Sequence, residues 1–475
     1  MLSLLSRRSL VTHASRFGLA ALMPNELRDA PRLPDVVVVV MDDMRASDWM
    51  ALPKTKALLA NGTMFPNFIV STPVCCPSRA TMFTGQYPHN HRVMANTGNH
   101  GGWQAFRANG KAEESIHTAA QRRGYRTVIS GKFLNGSPKQ GGIGAGWSSF
   151  ATTDERDYVD FALNVNGRKR EYRGEGKYST NVLANHAVTA IAETRRDQPL
   201  LLFYTPKAPK GPATPDRDHA QDYADVPLSP SASFNEPDVS DKPGSMRTRN
   251  QRATTAEATL THMNRDRLRT LASVDDAMVK IVSAIQEHRD MANTYVFITS
   301  DHGYALGEHR LTGKGRPYDP MIRVPLLAFG PGFGGGDDDR LCGMVDLAPT
   351  IAAVTGASLA APDGLSLLDQ RRRDSVLIEC WSGRESYTGL RLPHEVYVEY
   401  QGGDREYYDH ATDPDELNNR LASWEGSQTS VDPAYVGALA SRLEAERTCS
   451  GEACWNPAAA EHGHSTKSRV TRHRR

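Results

Sequence analysis

Two cysteines followed by Pro-Ser-Arg have the residue types in this sequence that are best suited to chemistry. Cys75 and Cys76 begin a predicted helix after a proline-containing loop, and Arg79 follows within its first turn. Backbone N–H groups at a helix start and a guanidinium both favour an anion, and such a setting lowers the pKa of a thiol. The pattern predicts a reactive cysteine at an anion site, although two cysteines packed before a helix would use the same residues.

Carboxylates elsewhere in the chain are suited to binding a cation. Asp42 and Asp43 directly follow the apolar run Val36–Val40, and Asp301 belongs to Ser-Asp-His-Gly. A hard divalent cation binds several oxygen ligands, which these side chains supply. Taken alone, the pair fits equally well a helix cap plus one surface aspartate, and that interpretation is the simpler one.

Most of these polar groups follow a predicted β-strand. The predicted strands are Val36–Val40, Thr127–Ser130, Leu200–Tyr204, Tyr295–Thr299 and Pro325–Phe329. Helical segments lie between them, the clearest from about Arg267 to Gln286. Alternating strands and helices predict an α/β fold with a large, mostly parallel sheet covered on both faces. Ligands of such sheets bind outside the carboxyl ends of the strands.

The chain divides into a leader, a catalytic domain, a small subdomain and a tail. Short strands joined by tight turns predict a small antiparallel subdomain near the C-terminus, with strands at Val376–Glu379, Glu395–Tyr400 and Glu406–Tyr408 and a helix near Tyr435–Arg447. The predicted boundaries are 1–33, 34–375 with a polar insertion at about 212–257, 376–447, and 448–475 with a basic, disordered end.

The cysteine motif resembles the signature of the sulfatase family. Cys-x-Pro-Ser-Arg runs from Cys75 to Arg79, and the extended form continues through Thr84-Gly85 to His91. It is similar to the branch that contains glucosamine-6-sulfatases and related arylsulfatases. The flanking family motifs occur in order, and they are Asp42-Asp43, Gly131-Lys132, Ser300-Asp301-His302-Gly303, Lys314, Arg323-Val324-Pro325, Val345-Asp346 and the segment from Tyr408 to Asn419. The resemblance covers about Pro34 to Leu421.

This resemblance implies an alkaline-phosphatase-like sandwich and a specific nucleophile. In the family, a formylglycine-generating enzyme oxidises the cysteine at the position of Cys75, and a hydroxyl of the hydrated aldehyde, a gem-diol, attacks sulfur. The implied metal ligands are Asp42, Asp43, Cys75, Asp301 and His302. Ca²⁺ is the leading metal, and Mg²⁺ or Mn²⁺ are the alternatives. The imidazole of His302, in place of the usual amide oxygen, favours a softer metal than Ca²⁺.

The implied function is hydrolysis of an alkyl or aryl sulfate, and a sulfated sugar is a suitable substrate. Arg79, Lys132 and Lys314 are the expected catalytic cations, and the lysines also bind the sulfate. One alternative is hydrolysis of phosphonate monoesters or phosphodiesters at the same site. A second is a protein that binds sulfated glycans without cleaving them.

The sequence departs from the family at two histidines. Phe133 and Leu134 follow Lys132 in place of Trp-His, and Lys210 replaces the histidine of Ala-Pro-His-x-Pro. Lys210 is therefore a candidate for charge neutralisation or, with a lowered pKa, for proton transfer. His91 is a further candidate for proton transfer, and His100 is a candidate for lining the substrate cleft, although for a single histidine a structural role is the simpler interpretation.

The overall composition is that of a globular protein. Among 475 residues, 23% are charged and the net charge is +1, which excludes a disordered chain and does not suggest nucleic-acid binding. No apolar run approaches the roughly 20 residues of a membrane span. Arg7-Arg8 fits either a twin-arginine signal, which would make the protein secreted or periplasmic, or a disordered basic leader of a cytoplasmic protein. Cys449 and Cys454 are either a short disulfide or two free thiols.

Overall fold

Five neighbouring parallel strands form the middle of the main β-sheet. The computed structural model describes residues 32–153, 157–174, 176–228, 230–248, 254–422 and 431–456. The strands, in chain order, are β1 Asp35–Met41, β2 Thr63–Ile69, β3 Arg126–Gly131, β4 Ser149–Thr152, β5 Phe161–Val165, β6 Arg168–Tyr172, β7 Leu200–Thr205, β8 Thr294–Ser300, β9 Ala305–Leu306, β10 Thr312–Gly313, β11 Arg323–Phe329, β12 Gly336–Asp337, β13 Cys342–Gly343, β14 Val376–Cys380, β15 Tyr387–Arg391, β16 Glu395–Tyr400 and β17 Arg405–Asp409.

The order of the main sheet places the predicted strands side by side. It runs β12-β2-β11-β8-β1-β7-β3-β4-β5-β6, with β13 also paired to β2. Strands β8, β1, β7, β3 and β4 are parallel to their neighbours within that group, and β11 is antiparallel to β8 and β2. The carboxyl ends of β8, β1, β7 and β3 therefore meet at one edge of the sheet.

Both faces of this sheet are covered by helices. The α-helices are α1 Pro53–Leu58, α2 Cys75–Thr84, α3 Pro88–His91, α4 Gly102–Ala108, α5 Lys111–Glu114, α6 Ile116–Arg122, α7 Ser179–Glu193, α8 Thr254–His288, α9 Asp319–Ile322, α10 Leu347–Thr355 and α11 Pro433–Glu446. Short 3₁₀ helices span Ala46–Ala51, Arg217–His219, Gly244–Thr248, Met291–Asn293, Met344–Asp346 and Gly451–Cys454.

The central strand shows why its sequence is uniformly apolar. Val36, Val38 and Val40 pack in one hydrophobic cluster with α2, α4, α6 and α10, whereas Val37 and Val39 pack in a second cluster with α7 and α8. Because successive side chains of a strand point to opposite faces, a strand buried on both faces needs an apolar residue at every position. The predicted α/β sandwich is confirmed.

A second, smaller sheet lies near the C-terminus. Strands β14, β15, β16 and β17 pair antiparallel in sequence order, and α11 packs with them in the same hydrophobic cluster as one face of the main sheet. Cys449 and Cys454 form a disulfide just after α11, so the first of the two alternatives applies. Among the residues that are described, no helix is both long and apolar enough to cross a membrane.

Several element boundaries differ from the expectations. Helix α8 begins at Thr254, inside the predicted polar insertion and well before Arg267. Strand β15 was not predicted; it has Gly389 at its centre, where a Cβ atom would lie 2.6 Å from the Tyr397 carbonyl oxygen. The leader up to residue 31 and the tail from residue 457 lie outside the described residues.

Candidate active site

Helix α2 begins at Cys75 and places its thiol next to the edge where the parallel strands end. All ten residues of this helix are buried. The Asn96 side chain accepts a hydrogen bond of 2.8 Å from the backbone N–H of Cys76, which satisfies one of the unpaired donors at the helix start. The predicted helix start at Cys75 is thus present, and Asn96 is a capping residue that the sequence did not reveal.

Three parallel strands bring further predicted groups to the same place. Asp42 and Asp43 follow β1, Lys132 follows β3, and Asp301 follows β8. Gly131, with φ +129°, passes so close to β7 that a Cβ atom would lie 2.0 Å from the Thr205 carbonyl oxygen. This close approach explains why a glycine precedes Lys132.

Ser78 and Arg79 connect helix α2 to two of these strand ends. The Ser78 hydroxyl donates to the Asp301 carbonyl oxygen, and Arg79 Nε donates to Asp301 Oδ2 at 2.8 Å. Arg79 Nη1 donates to the Lys132 carbonyl oxygen at 2.7 Å. Arg79 Nη2 lies 3.8 Å from Asp42 Oδ2 and has no hydrogen-bond partner among the described residues. Arg79 is fully buried, so it positions the loops and keeps one donor for a further acceptor.

Three lysines surround the carboxylates and the Cys75 sulfur. Lys132 is paired with Asp42, and Lys314 Nζ lies 2.6 Å from Asp43 Oδ1 and 3.0 Å from Cys75 Sγ. Lys210 Nζ lies 2.9 Å from Asp42 Oδ1 and 3.4 Å from Cys75 Sγ. Lys210 therefore takes part in the site despite replacing the family histidine.

Leaving Cys75 and His302 aside, the charges of this cluster leave an excess of cations. Arg79 and the three lysines face three carboxylates, those of Asp42, Asp43 and Asp301. A buried excess of positive charge is costly unless an anion balances it. The site is therefore suited to an anionic ligand.

Electrostatics separate the two neighbouring thiols. Burial raises the pKa of Cys75, but the charges of Lys132 and Lys314 outweigh burial and lower that pKa to about 6. Burial raises the pKa of Cys76 to about 12, and its sulfur is held by Asn135. Of the two, Cys75 therefore has the more acidic thiol, which is the property that favours reactivity.

The carboxylates around Lys210 do not favour proton transfer by its side chain. Burial alone would lower the pKa of Lys210, but Asp42 and Asp43 outweigh burial and raise it well above its usual value. The expectation that neighbouring cations lower the pKa of Lys210 is wrong, because carboxylates lie closer to it. Lys210 supplies charge.

A group of four side chains is arranged as metal ligands would be. Ligand atoms of Asp42, Asp43, Cys75 and His302 lie within 4.8 Å of one another, and all four residues are buried. His302 Nδ1 donates to the Gly303 carbonyl oxygen at 2.9 Å, which orients the ring so that Nε2 lies 3.4 Å from Cys75 Sγ. Carboxylates with an oriented imidazole fit a divalent cation.

Asp301, the fifth expected ligand, lies at the margin of this group. Its Oδ1 is 3.5 Å from His302 Nε2 and accepts from the Asp43 N–H, while Oδ2 is bound by Arg79. The charges of His302 and Arg79 outweigh burial and keep the pKa of Asp301 below its usual value. Asp301 thus offers an ionised oxygen that faces the group.

A cavity of about 250 Å³ opens onto these residues. Its lining contains Lys132, Lys210 and Lys314, together with residues that the sequence analysis missed, namely Asn96, Asn135, Thr153, Asp157, Ser179 and Lys207. The Lys207 ammonium lies 4.2 Å from the centre of the Tyr158 ring. Lys207 comes just after β7, and the end of β7 faces the site, so this position is the signal from which Lys207 could have been identified.

The two candidate histidines lie outside the cluster. His91 is fully buried, its Nε2 is 3.1 Å from the Thr81 hydroxyl, and its Nδ1 accepts from the Val93 N–H. Burial lowers the pKa of His91 to about 3. His100 is exposed and is not among the described residues that line the cavity at Cys75. The structure thus assigns His91 to packing and leaves His100 on the surface.

Together, the sandwich fold and this anion-binding, metal-compatible site define a hydrolase of charged esters. The family described as Sulfatase matches residues 34–357. The N-acetylglucosamine-6-sulfatase of Capra hircus is 30% identical over 92% of this chain and 88% of its own length. The chain belongs to the sulfatase family, and it is a sulfuric ester hydrolase.

Solved structures agree with this fold. One solved protein, in complex with its substrate D-glucosamine-2-N,6-O-disulfate, superimposes on this chain with a TM-score of 0.71 and 18% sequence identity. The match covers 87% of this chain and 97% of that protein's chain. The phosphonate monoester hydrolase of Agrobacterium radiobacter has a TM-score of 0.65 and 19% identity, covering 86% and 94%. The fold is therefore shared by enzymes that act on different esters.

Proposed function

We propose that this sulfatase cleaves the 6-O-sulfate of a glucosamine-type sugar and that its nucleophile is a formylglycine made from Cys75. The observation that carries the proposal is the environment of Cys75 Sγ, which lies 3.0 Å from Lys314 Nζ, 3.4 Å from Lys210 Nζ and 3.4 Å from His302 Nε2. The sugar is supported by the name of the Capra hircus relative and by the disulfate substrate of the structural neighbour.

In this proposal the Cys75 sulfur marks the position of the formylglycine oxygens. A hydroxyl of the hydrated aldehyde would attack sulfur and expel the sugar alcohol, and the second hydroxyl would then release sulfate and regenerate the aldehyde. Lys132, Lys210 and Lys314 would neutralise the sulfate oxygens, and the spare Nη2 of Arg79 would stabilise the charge that develops there.

We propose one divalent cation at Asp42, Asp43, His302 and the oxygen that replaces the sulfur of Cys75, with Asp301 completing the ligand set. Ca²⁺ is the leading metal because most of these ligands are carboxylate oxygens, and Mg²⁺ or Mn²⁺ are the alternatives, of which the His302 imidazole suits Mn²⁺ better. Bound there, the cation would act as a Lewis acid on a sulfate oxygen. Metal analysis of the purified protein, with reactivation of the chelator-treated enzyme by each ion, identifies it.

The nucleophile is tested by the mass of the peptide that contains Cys75. In protein produced together with a formylglycine-generating enzyme, conversion should lower that mass by about 18 Da. The Cys75→Ala variant should lose sulfatase activity, whereas Cys76→Ala, the matched neighbour, should keep both the conversion and the activity. An unchanged mass at Cys75 in active wild-type enzyme would overturn the proposed nucleophile.

The substrate is tested by comparing three compounds on the converted enzyme. We expect turnover of N-acetylglucosamine-6-sulfate and of p-nitrophenyl sulfate, and little turnover of bis-p-nitrophenyl phosphate. A preference for the phosphodiester would favour the phosphonate or phosphodiester alternative. Binding of the sulfated sugar without turnover, in protein that carries the aldehyde, would favour the non-catalytic alternative.

We also propose that the enzyme works in an oxidising compartment, either secreted or periplasmic. The disulfide between Cys449 and Cys454 supports this, because such bonds persist outside the reducing cytoplasm. Fractionation of the producing cell is the test, and enzyme recovered in the cytoplasm with both thiols free would contradict it.

A further inference from the structure

A groove leads away from the cavity at Cys75 toward the small C-terminal sheet. Lys314 lines both the 250 Å³ cavity at the nucleophile and a neighbouring cavity of about 280 Å³. Cys380 and Trp381, at the end of β14, line this second cavity and also a third one of about 490 Å³. Each cavity therefore shares a lining residue with the next, from the one beside the lysine cluster to the one at the small sheet.

Trp381 is the residue of this groove that stands out chemically. Its side chain is 36% exposed, although indole is among the most apolar side chains and is normally more deeply buried. It lies at the start of the turn between β14 and β15. In this turn the Ser382 N–H donates to the Ser386 hydroxyl at 2.7 Å, and the Gln401 N–H donates to the Ser386 carbonyl at 2.8 Å. An ordered turn thus places an exposed indole in the lining of the groove.

The charged groups along the groove are paired. Arg316 forms an ion pair with Glu385 in the second cavity, and Arg447 lies 2.6 Å from Glu399 in the third. Apart from Lys314, which is paired with Asp43 in the lysine cluster, these pairs offer both donors and acceptors without a local excess of either charge. The groove thus differs from the cationic cavity at Cys75, and it suits a ligand rich in hydroxyl groups better than a second sulfate.

We propose that this groove binds sugar residues attached to the sulfated residue, so that the enzyme acts on an oligosaccharide, with Trp381 as a stacking platform. This inference rests on the proposed sugar-sulfate substrate. A pyranose ring has an apolar face of C–H groups and a rim of hydroxyls, and an exposed aromatic beside paired polar groups complements both. The cavity volumes approach or fall within the roughly 300–1,000 Å³ of typical ligand sites.

The test compares wild type with Trp381→Ala on a small and on a large substrate. p-Nitrophenyl sulfate reaches only the first cavity, whereas a tetrasaccharide with one glucosamine 6-O-sulfate would extend along the groove. We expect Trp381→Ala to keep the wild-type kcat/KM on the aryl sulfate and to lose about tenfold on the tetrasaccharide, the order of effect of a lost aromatic contact. Trp381→Phe, which keeps an aromatic ring, should lose less than tenfold of the kcat/KM on the tetrasaccharide.

Tyr435→Ala is the matched control, since Tyr435 is 38% exposed and is not among the described residues that line the groove. This variant should have the wild-type kcat/KM on both substrates. An equal kcat/KM of Trp381→Ala and wild type on the tetrasaccharide would overturn the proposed groove.

A failure of the proposed substrate is distinguishable from a failure of the groove. If wild type cleaves the aryl sulfate but neither sugar, the sugar-sulfate proposal fails. The groove is then decided by calorimetric titration of the same tetrasaccharide into Cys75→Ala protein, with and without Trp381→Ala. Binding that Trp381→Ala weakens supports the groove, and absent or unchanged binding overturns it.

Discussion

Replacing Lys210 by methionine tests whether this lysine contributes charge or a proton. Methionine keeps the apolar stem and removes the ammonium that lies 2.9 Å from Asp42 Oδ1 and 3.4 Å from Cys75 Sγ. One donor aimed at developing charge in a site closed to water contributes about 10²–10³ in kcat. Because the Lys210 side chain is 19% exposed, we expect the lower end, a loss of roughly 10².

A comparison of leaving alcohols that do and do not need a proton distinguishes charge neutralisation by Lys210 from proton donation. Lys210 is paired with Asp42 and lies 3.8 Å from Asp43 Oδ2, so it keeps its proton and cannot deliver it to the departing oxygen. The loss of kcat should therefore be the same for an aryl sulfate, whose alcohol leaves easily, and for an alkyl sulfate, whose alcohol needs a proton. Initial rates are measured as p-nitrophenol release and as sulfate release.

A matched control comes from the same loop. Lys207→Met removes an ammonium that lies over the Tyr158 ring, and it should cost far less kcat on the aryl sulfate. Equal thermal midpoints of the variants exclude unfolding as the cause. If the alkyl sulfate lost more than about tenfold beyond the aryl sulfate, Lys210 would be acting as a general acid and our reasoning would be refuted.

Three further predictions concern packing and stability. Arg267→Met should destabilise the protein by about 3–5 kcal/mol, because Arg267 is buried against Asp48 and holds the carbonyl oxygens of Asp43 and Pro209; a thermal midpoint equal to wild type would contradict this. His91→Asn should lower the thermal midpoint while leaving the pH profile of kcat unchanged, since the pKa of His91, about 3, keeps it neutral; a lost limb of the profile would instead make it catalytic. Cys449→Ser should lower the free energy of unfolding by about 2 kcal/mol, the value expected for so short a disulfide loop. Chemical denaturation of the reduced wild type should show the same loss.

The strands and the site could be predicted largely because both depend on local sequence. A strand buried on both faces must be continuously apolar, and this identified β1 and the polar groups after it. The start of α8 was missed because its first half is polar, and from Glu257 to Asp266 Leu260 is the one buried hydrophobic residue that the structure describes. Strand β15 was missed because Gly389 is favoured there by contact with a neighbouring strand, which no local pattern reveals.

Site residues without a motif could not be predicted in the same way. Asn96 and Asn135 reach Cys76 across long sequence separations, and each contact depends on how separate loops fold together. Lys210 was identified, but the direction of its pKa was not, because this direction depends on which charges lie closest. The motifs indicated both the cations and the carboxylates of the site, and only the structure showed that Asp42 and Asp43 lie next to Lys210.

The structure also explains why the family signature is contiguous although the site is not. Of its residues, Cys75 lies beside Lys210 and Lys314, while Ser78 and Arg79 bond to Asp301 and to the backbone of Lys132, which come from two other strand ends. A short helix therefore fixes loops that lie far apart in the sequence. Arg79 could not be replaced by lysine without loss, because only a guanidinium can bond to both loops and retain a donor for the substrate.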